Sequence, residues 1–147
     1  MDVVIGVGNG LRRDDGIGQE IARALSPSPG LEVWTVQGLV PELALRLQGA
    51  KRVLFVDADA ATTEVRLVRV APSTHGGGHD LGPEGLLALT GEVSGAPPEA
   101  WVLSVPGFDF GHGEGLSDRA AAFLPRAREA ASRWLAGKEL ARHGDEA

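Results

Sequence analysis

The sequence predicts an α/β fold: a three-layer α/β/α sandwich around a mostly parallel central sheet of about five strands. Three observations predict it. Val3-Val4-Ile5-Gly6-Val7 and Arg52-Val53-Leu54-Phe55-Val56 are short apolar runs of the kind that a parallel sheet buries on both faces. Segments with apolar residues at helical spacing, such as Ile17, Ile21 and Leu25, alternate with such runs. The connections are short, which suits right-handed strand-helix-strand crossovers.

After the first strand, a helix over 16–25 presents Ile17, Ile21, Ala22 and Leu25 on one face and ends before Pro27 and Pro29. Leu31–Val36 reads as a second strand, and Pro41 opens a helix with Leu43, Ala44 and Leu47 inward. The third strand, 52–56, runs straight into Asp57-Ala58-Asp59. Charged and β-branched residues mix over 64–70, as expected of an edge strand with one face in water. The stretch 72–82 contains Gly76-Gly77-Gly78 and holds no regular element, because ordering three consecutive glycines costs too much entropy.

Pro83 starts a helix through Leu86, Leu87 and Leu89, and Pro97-Pro98 precede a strand over 100–105. A long loop with Phe108 and Phe110 follows. These two rings either pack down onto the domain or face a partner. Ser117 is a suitable N-cap for a last helix carrying Ala121, Ala122, Leu124, Ala127, Ala131, Trp134 and Leu135, which Pro125 kinks or restarts. Trp34, Trp101 and Trp134 lie in apolar stretches and read as packing residues. Beyond Gly137 the polar tail is expected to fray.

No Pro/Gly/Ser-rich linker divides the 147 residues, so one domain over 1–147 is expected. With no cysteine, disulfides, zinc-thiolate sites and thiol catalysis are excluded. A net charge of −6 without a dense Lys/Arg stripe argues against a nucleic-acid partner. The N-terminal apolar run is too short for a membrane span and lacks the basic flank of a signal peptide, so no membrane partner and a cytoplasmic location are expected. Nothing demands an oligomer, and a monomer is the simplest expectation.

The loop Gly8-Asn9-Gly10-Leu11-Arg12-Arg13-Asp14-Asp15-Gly16 sits at the carboxyl end of a strand, where open α/β sheets place ligands. A dinucleotide fits it badly: Leu11 stands where a third glycine is required, and two carboxylates would repel a pyrophosphate. A cation fits better. Asp14 and Asp15, Asp57 and Asp59, and His75 and His79 lie on loops that a parallel sheet opens on one edge, and oxygen and imidazole donors suit first-row divalent metals. Each also has an ordinary role: Asp14 or Asp15 as a helix cap, Asp57 as an acceptor for loop amides, a glycine-loop histidine as a solvated group. Arg12 and Arg13 read as a solvated turn. No Gly-x-Ser-x-Gly elbow exists, which sets serine hydrolysis aside.

The run Gly6-Val7-Gly8-Asn9-Gly10-Leu11-Arg12-Arg13-Asp14-Asp15-Gly16-Ile17-Gly18 resembles the N-terminal signature of the nickel-iron hydrogenase maturation proteases. Gln37-Gly38-Leu39-Val40-Pro41-Glu42-Leu43-Ala44, Val56-Asp57-Ala58, His79-Asp80-Leu81-Gly82-Pro83 and Gly113-Glu114-Gly115-Leu116-Ser117 also resemble family segments, in order, from Val3 to about Leu135. The resemblance implies an endopeptidase that trims the C-terminal extension of the hydrogenase large-subunit precursor. It implies metal ligands at Asp15, Asp57 and His79, with His75 as a rival for the last, and makes Asp15 and Asp57 the catalytic candidates. The nickel is then carried by the substrate rather than held permanently. The family often has Pro at Gly10 and Gly at Arg13, and its first acidic ligand is Glu or Asp. A non-catalytic metal-dependent chaperone or binding module for the same precursor, using the same ligands, is the alternative, and a nucleotide-binding domain a more distant one.

Overall fold

The apolar runs form the middle of one five-stranded sheet. The computed structural model describes residues 1–74 and 81–137. Strands β1 (Asp2–Val7), β2 (Leu31–Val36), β3 (Arg52–Asp59), β4 (Arg66–Val70) and β5 (Glu99–Pro106) lie in the order β2-β1-β3-β5-β4. β2, β1, β3 and β5 are parallel, and β4 pairs antiparallel with β5 at one edge. The edge placement explains the mixed charges of β4. Val3, Val4, Ile5 and Val53 to Val56 are at most 1% exposed, as two covered faces require.

Helices α1 (Ile17–Arg23), α4 (Asp118–Ala121) and α5 (Leu124–Leu135) cover one face. There Ile17, Ile21, Ala127, Ala131 and Trp134 pack on Val4, Leu54, Val56 and Leu103. Helices α2 (Leu43–Arg46) and α3 (Pro83–Ser94) cover the other, with Leu43, Leu47, Leu86 and Leu87 on Val3, Ile5, Val53 and Phe55. The chain is thus the expected three-layer sandwich. The tryptophans are packing residues: Trp101 and Trp134 meet edge-to-face with centroids 5.9 Å apart, and the Arg46 guanidinium lies 4.0 Å over the Trp34 ring.

Two elements differ clearly in extent from the sequence expectation, and at a third the structure takes one of two open readings. α2 is a four-residue helix, because the chain turns out of it at Gly49, where φ is 83°. β3 runs on through Asp59, since Asp57 and Asp59 stay in register with Ser104 and Pro106 of β5. At Pro125 the chain restarts rather than kinks: α4 ends and α5 begins with the proline in its first turn. Ser117 is the N-cap of α4, its hydroxyl accepting from the Ala120 amide at 3.2 Å. No helix among the described residues is long and apolar enough to cross a membrane.

α1 lies so close to the sheet that a Cβ on Gly18 would overlap the Val56 carbonyl oxygen and come within 2.9 Å of the Val7 carbonyl oxygen. Gly18→Ala therefore forces backbone apart where no side chain can yield. We expect it to cost about 2–3 kcal/mol and to lower the melting temperature by about 4–12 °C. A melting curve superimposable on that of the parent protein would show that α1 can lift off the sheet freely.

Candidate active site at the carboxyl edge of the sheet

The loop between β1 and α1 is shaped by its backbone before any ligand is considered. Gly8 has φ 141°, and a Cβ there would collide with the Asp15 carbonyl, so the chain crosses itself at this point. Asn9 turns the loop by accepting the Leu11 amide on its own side-chain oxygen at 2.9 Å. Arg13 adopts φ 49°, a left-handed conformation that explains why glycine suits that position. A single 3-10 turn, Arg13–Gly16, then carries both aspartates into α1.

The two neighbours face different tasks. Asp14 is fully buried. Its carboxylate accepts the amides of Phe108, Asp109 and Ser117 at 2.8, 2.9 and 2.7 Å, and the Ser117 hydroxyl at 2.8 Å. Burial pushes its pKa up, but those hydrogen bonds favour the charged form more strongly and hold it below the ordinary carboxylate value. Asp14 therefore does not cap α1, whose N-cap is Gly16 without a side-chain bond. It fastens the loop after β5 instead. Arg12 and Arg13 serve the same loop rather than a solvated turn: Arg12 Nε donates to the Phe110 carbonyl at 3.2 Å, and Arg13 Nε lies 3.6 Å from the Asp109 carboxylate. Phe110 packs down, filling the space that a side chain at Gly107 would need, whereas Phe108 stacks on Phe123 with centroids 6.1 Å apart and stays 37% exposed.

Asp15 is half-buried. One oxygen accepts the Asn9 amide at 2.8 Å, and the other has no protein donor among the described residues. Asp57, near the end of β3, is also half-buried, and its pKa is raised to about 7. Burial is the main cause, followed by the negative charge of Asp15 and, more weakly, that of Asp59; the Ala58 amide opposes them. Asp59 is drawn aside, accepting the Ala61 amide at 2.8 Å. The structure thus brings Asp15 near enough to Asp57 for its charge to oppose ionisation of Asp57. His75 and His79 lie outside the described residues, and no group of three metal-ligating side chains occurs among the described ones. An oxygen pair of this kind would hold a hard or borderline divalent cation through Asp15 and Asp57.

One residue at this edge gave no signal in the sequence. Gln19 is 6% exposed, and its Nε2 donates to the Gly8 and Val36 carbonyls at 2.6 and 3.0 Å, tying the ends of β1 and β2 together. It lies between the apolar positions Ile17 and Ile21, on a helix read for its apolar face alone.

No family model and no curated protein matches the sequence. Solved structures do. The NiFe hydrogenase maturation protease HybD from Thermococcus kodakarensis is 23% identical with a TM-score of 0.69, over 90% of this chain and 97% of that one. The hydrogenase maturating endopeptidase HybD from E. coli is 22% identical with a TM-score of 0.70, over 92% and 93%. An endopeptidase from Escherichia coli is 21% identical with a TM-score of 0.71, over 89% and 90%. The chain has the hydrogenase maturation protease fold. The likeness spans nearly the whole of both chains in each pair.

Proposed function

We propose that this protein is an endopeptidase that removes the C-terminal extension of a nickel-loaded nickel-iron hydrogenase large-subunit precursor. It reads the substrate-borne nickel through Asp15, Asp57 and His79. The observation that carries the reading is the charge coupling of Asp15 and Asp57: a pair whose negative charges oppose each other is relieved when a cation arrives between them. The solved structures named above, each a maturation protease or endopeptidase, support the reaction class. Selectivity then follows from a difference in ligands, because only a loaded precursor brings a metal for these side chains to complete.

In this mechanism the Asn9 amide fixes Asp15, whose open oxygen faces the incoming cation, and Asp57 releases its proton as the cation binds. The nickel supplies charge that anchors the tail and polarises what it touches. The enzyme acts as a cytoplasmic monomer. Co-expression with a large-subunit precursor tests the assignment: Asp15→Ala, Asp57→Ala and His79→Ala should each leave unprocessed precursor. Normal processing by all three would show that the ligands lie elsewhere, and tight binding of the precursor without tail removal by the parent protein would make it a chaperone.

A further inference from the structure

A second opening shares the loop that carries Asp15. A cleft of about 490 Å³ is lined by residues of that loop and by Glu20, Arg23, Gln37, Glu114 and Leu116. By the alternation along β3, Asp57 lies on the face of Val53 and Phe55, which α2 and α3 cover, whereas the cleft is lined by α1. The loop therefore has the carboxylate pair on one side and the cleft on the other.

The cleft is preformed by hydrogen bonds. Gln19, at its floor, is held by the Gly8 and Val36 carbonyls, and its own Oε1 orients Arg23, whose Nη2 donates to it at 3.1 Å. Main-chain bonds brace the loop beside it: Gly113 donates to the Leu11 carbonyl at 2.9 Å, and Arg13 to the Gly113 carbonyl at 3.0 Å. Two segments outside the proposed ligand set, at Gln37 and at 114–116, converge here. Among the described residues, the side chains of Glu20, Gln37 and Glu114 have no hydrogen-bond or ion-pair partner, so their polar groups remain available to a ligand.

We propose that this cleft seats an extended polypeptide segment, the stretch of the precursor beside its scissile bond, mainly through the segment's main chain. This rests on the protease function proposed above. Arg13 and Arg23 share the lining with Glu20 and Glu114, so it carries no excess of either sign. A phosphate would meet the two carboxylates and a bare cation the two guanidinium groups, each at a cost. A peptide backbone has no net charge and alternates donors with acceptors, which is what a lining of mixed donors and acceptors complements. The volume falls in the range of pockets that bury a ligand of a few residues.

The test is steady-state cleavage of purified nickel-loaded precursor by the parent protein and by Glu114→Arg and Gln37→Ala. Both substitutions fall on exposed side chains. Each should raise the precursor concentration at half-maximal rate about tenfold, the effect of one or two lost hydrogen bonds, with kcat within about twofold. Half-saturation unchanged in both variants, with the parent active, overturns the cleft assignment and leaves the protease function standing. A loss confined to kcat also overturns it, since a seat for substrate acts on KM. A parent protein that does not cut the precursor removes the function and the occupant together.

Discussion

Asp57→Asn should raise stability at pH 8 by about 2 kcal/mol, or about 4–8 °C in melting temperature, while precursor cleavage falls by about a hundredfold or more. The two effects have one cause. With its pKa raised to about 7, Asp57 binds its proton more tightly in the folded protein than in the unfolded chain, whose carboxylates release theirs near about pH 4. As pH rises through that window the unfolded chain is favoured, and above about 7 the whole cost of a buried carboxylate beside Asp15 is present. Asparagine keeps the shape and can still accept the Ala58 amide, but it never ionises. Its advantage should therefore be small at pH 4 and full at pH 8. Partial exposure of Asp57 is why about 2 kcal/mol is expected rather than the about 4 that three pKa units would give. Melting curves at the two pH values read the difference. A variant less stable than the parent at pH 8 would mean that the carboxylate is stabilised by contacts rather than strained.

Asp14→Asn should act in the opposite direction on stability, costing about 3 kcal/mol and about 6–12 °C at pH 7. Asparagine has the size of Asp14 but one acceptor and an N–H₂ group, which would confront amides that now donate to a full carboxylate. The loop from Phe108 to Ser117 loses its anchor, and the N-cap of α4 loses the partner that holds it. Because the folded pKa of Asp14 lies below the ordinary value, its contribution is present above the unfolded pKa and fades as pH falls through the lowered one. The gap between parent and variant should narrow at pH 3 or below. A gap that stays constant from pH 7 to acid would assign the loss to shape alone.

These adjacent aspartates show where sequence reading succeeds and where it stops. Asp14 and Asp15 together, and Asp57, could be nominated as candidates from their places at strand ends, because short apolar runs identify the central strands and ligands gather at their carboxyl ends; the choice of Asp15 rests on the family resemblance. The division of labour between Asp14 and Asp15 could not. It depends on Phe108, Asp109 and Ser117, more than ninety residues away in the chain, meeting one carboxylate. The same holds for Gln19, whose partners are main-chain carbonyls of two strands and leave no mark on composition or periodicity. Aspartates disfavour strands, so the sequence alone ends β3 at Val56, yet pairing with β5 carries the strand through Asp59. Helical restart at Pro125 was one of two readings that proline allows, and packing of α4 and α5 as separate pieces chose between them.

The pairing of Leu11 and Arg13 with Gly113 is made entirely by backbone amides and carbonyls. Such bonds are indifferent to the side chains beside them. Glu114 can therefore be exchanged during evolution while the rim it stands on keeps its outline, whereas Gly115, with φ 91°, and Leu116, packed against the core, are held to their types, with Asp15 left in place on the same loop. The architecture behaves as a fixed frame with replaceable lettering.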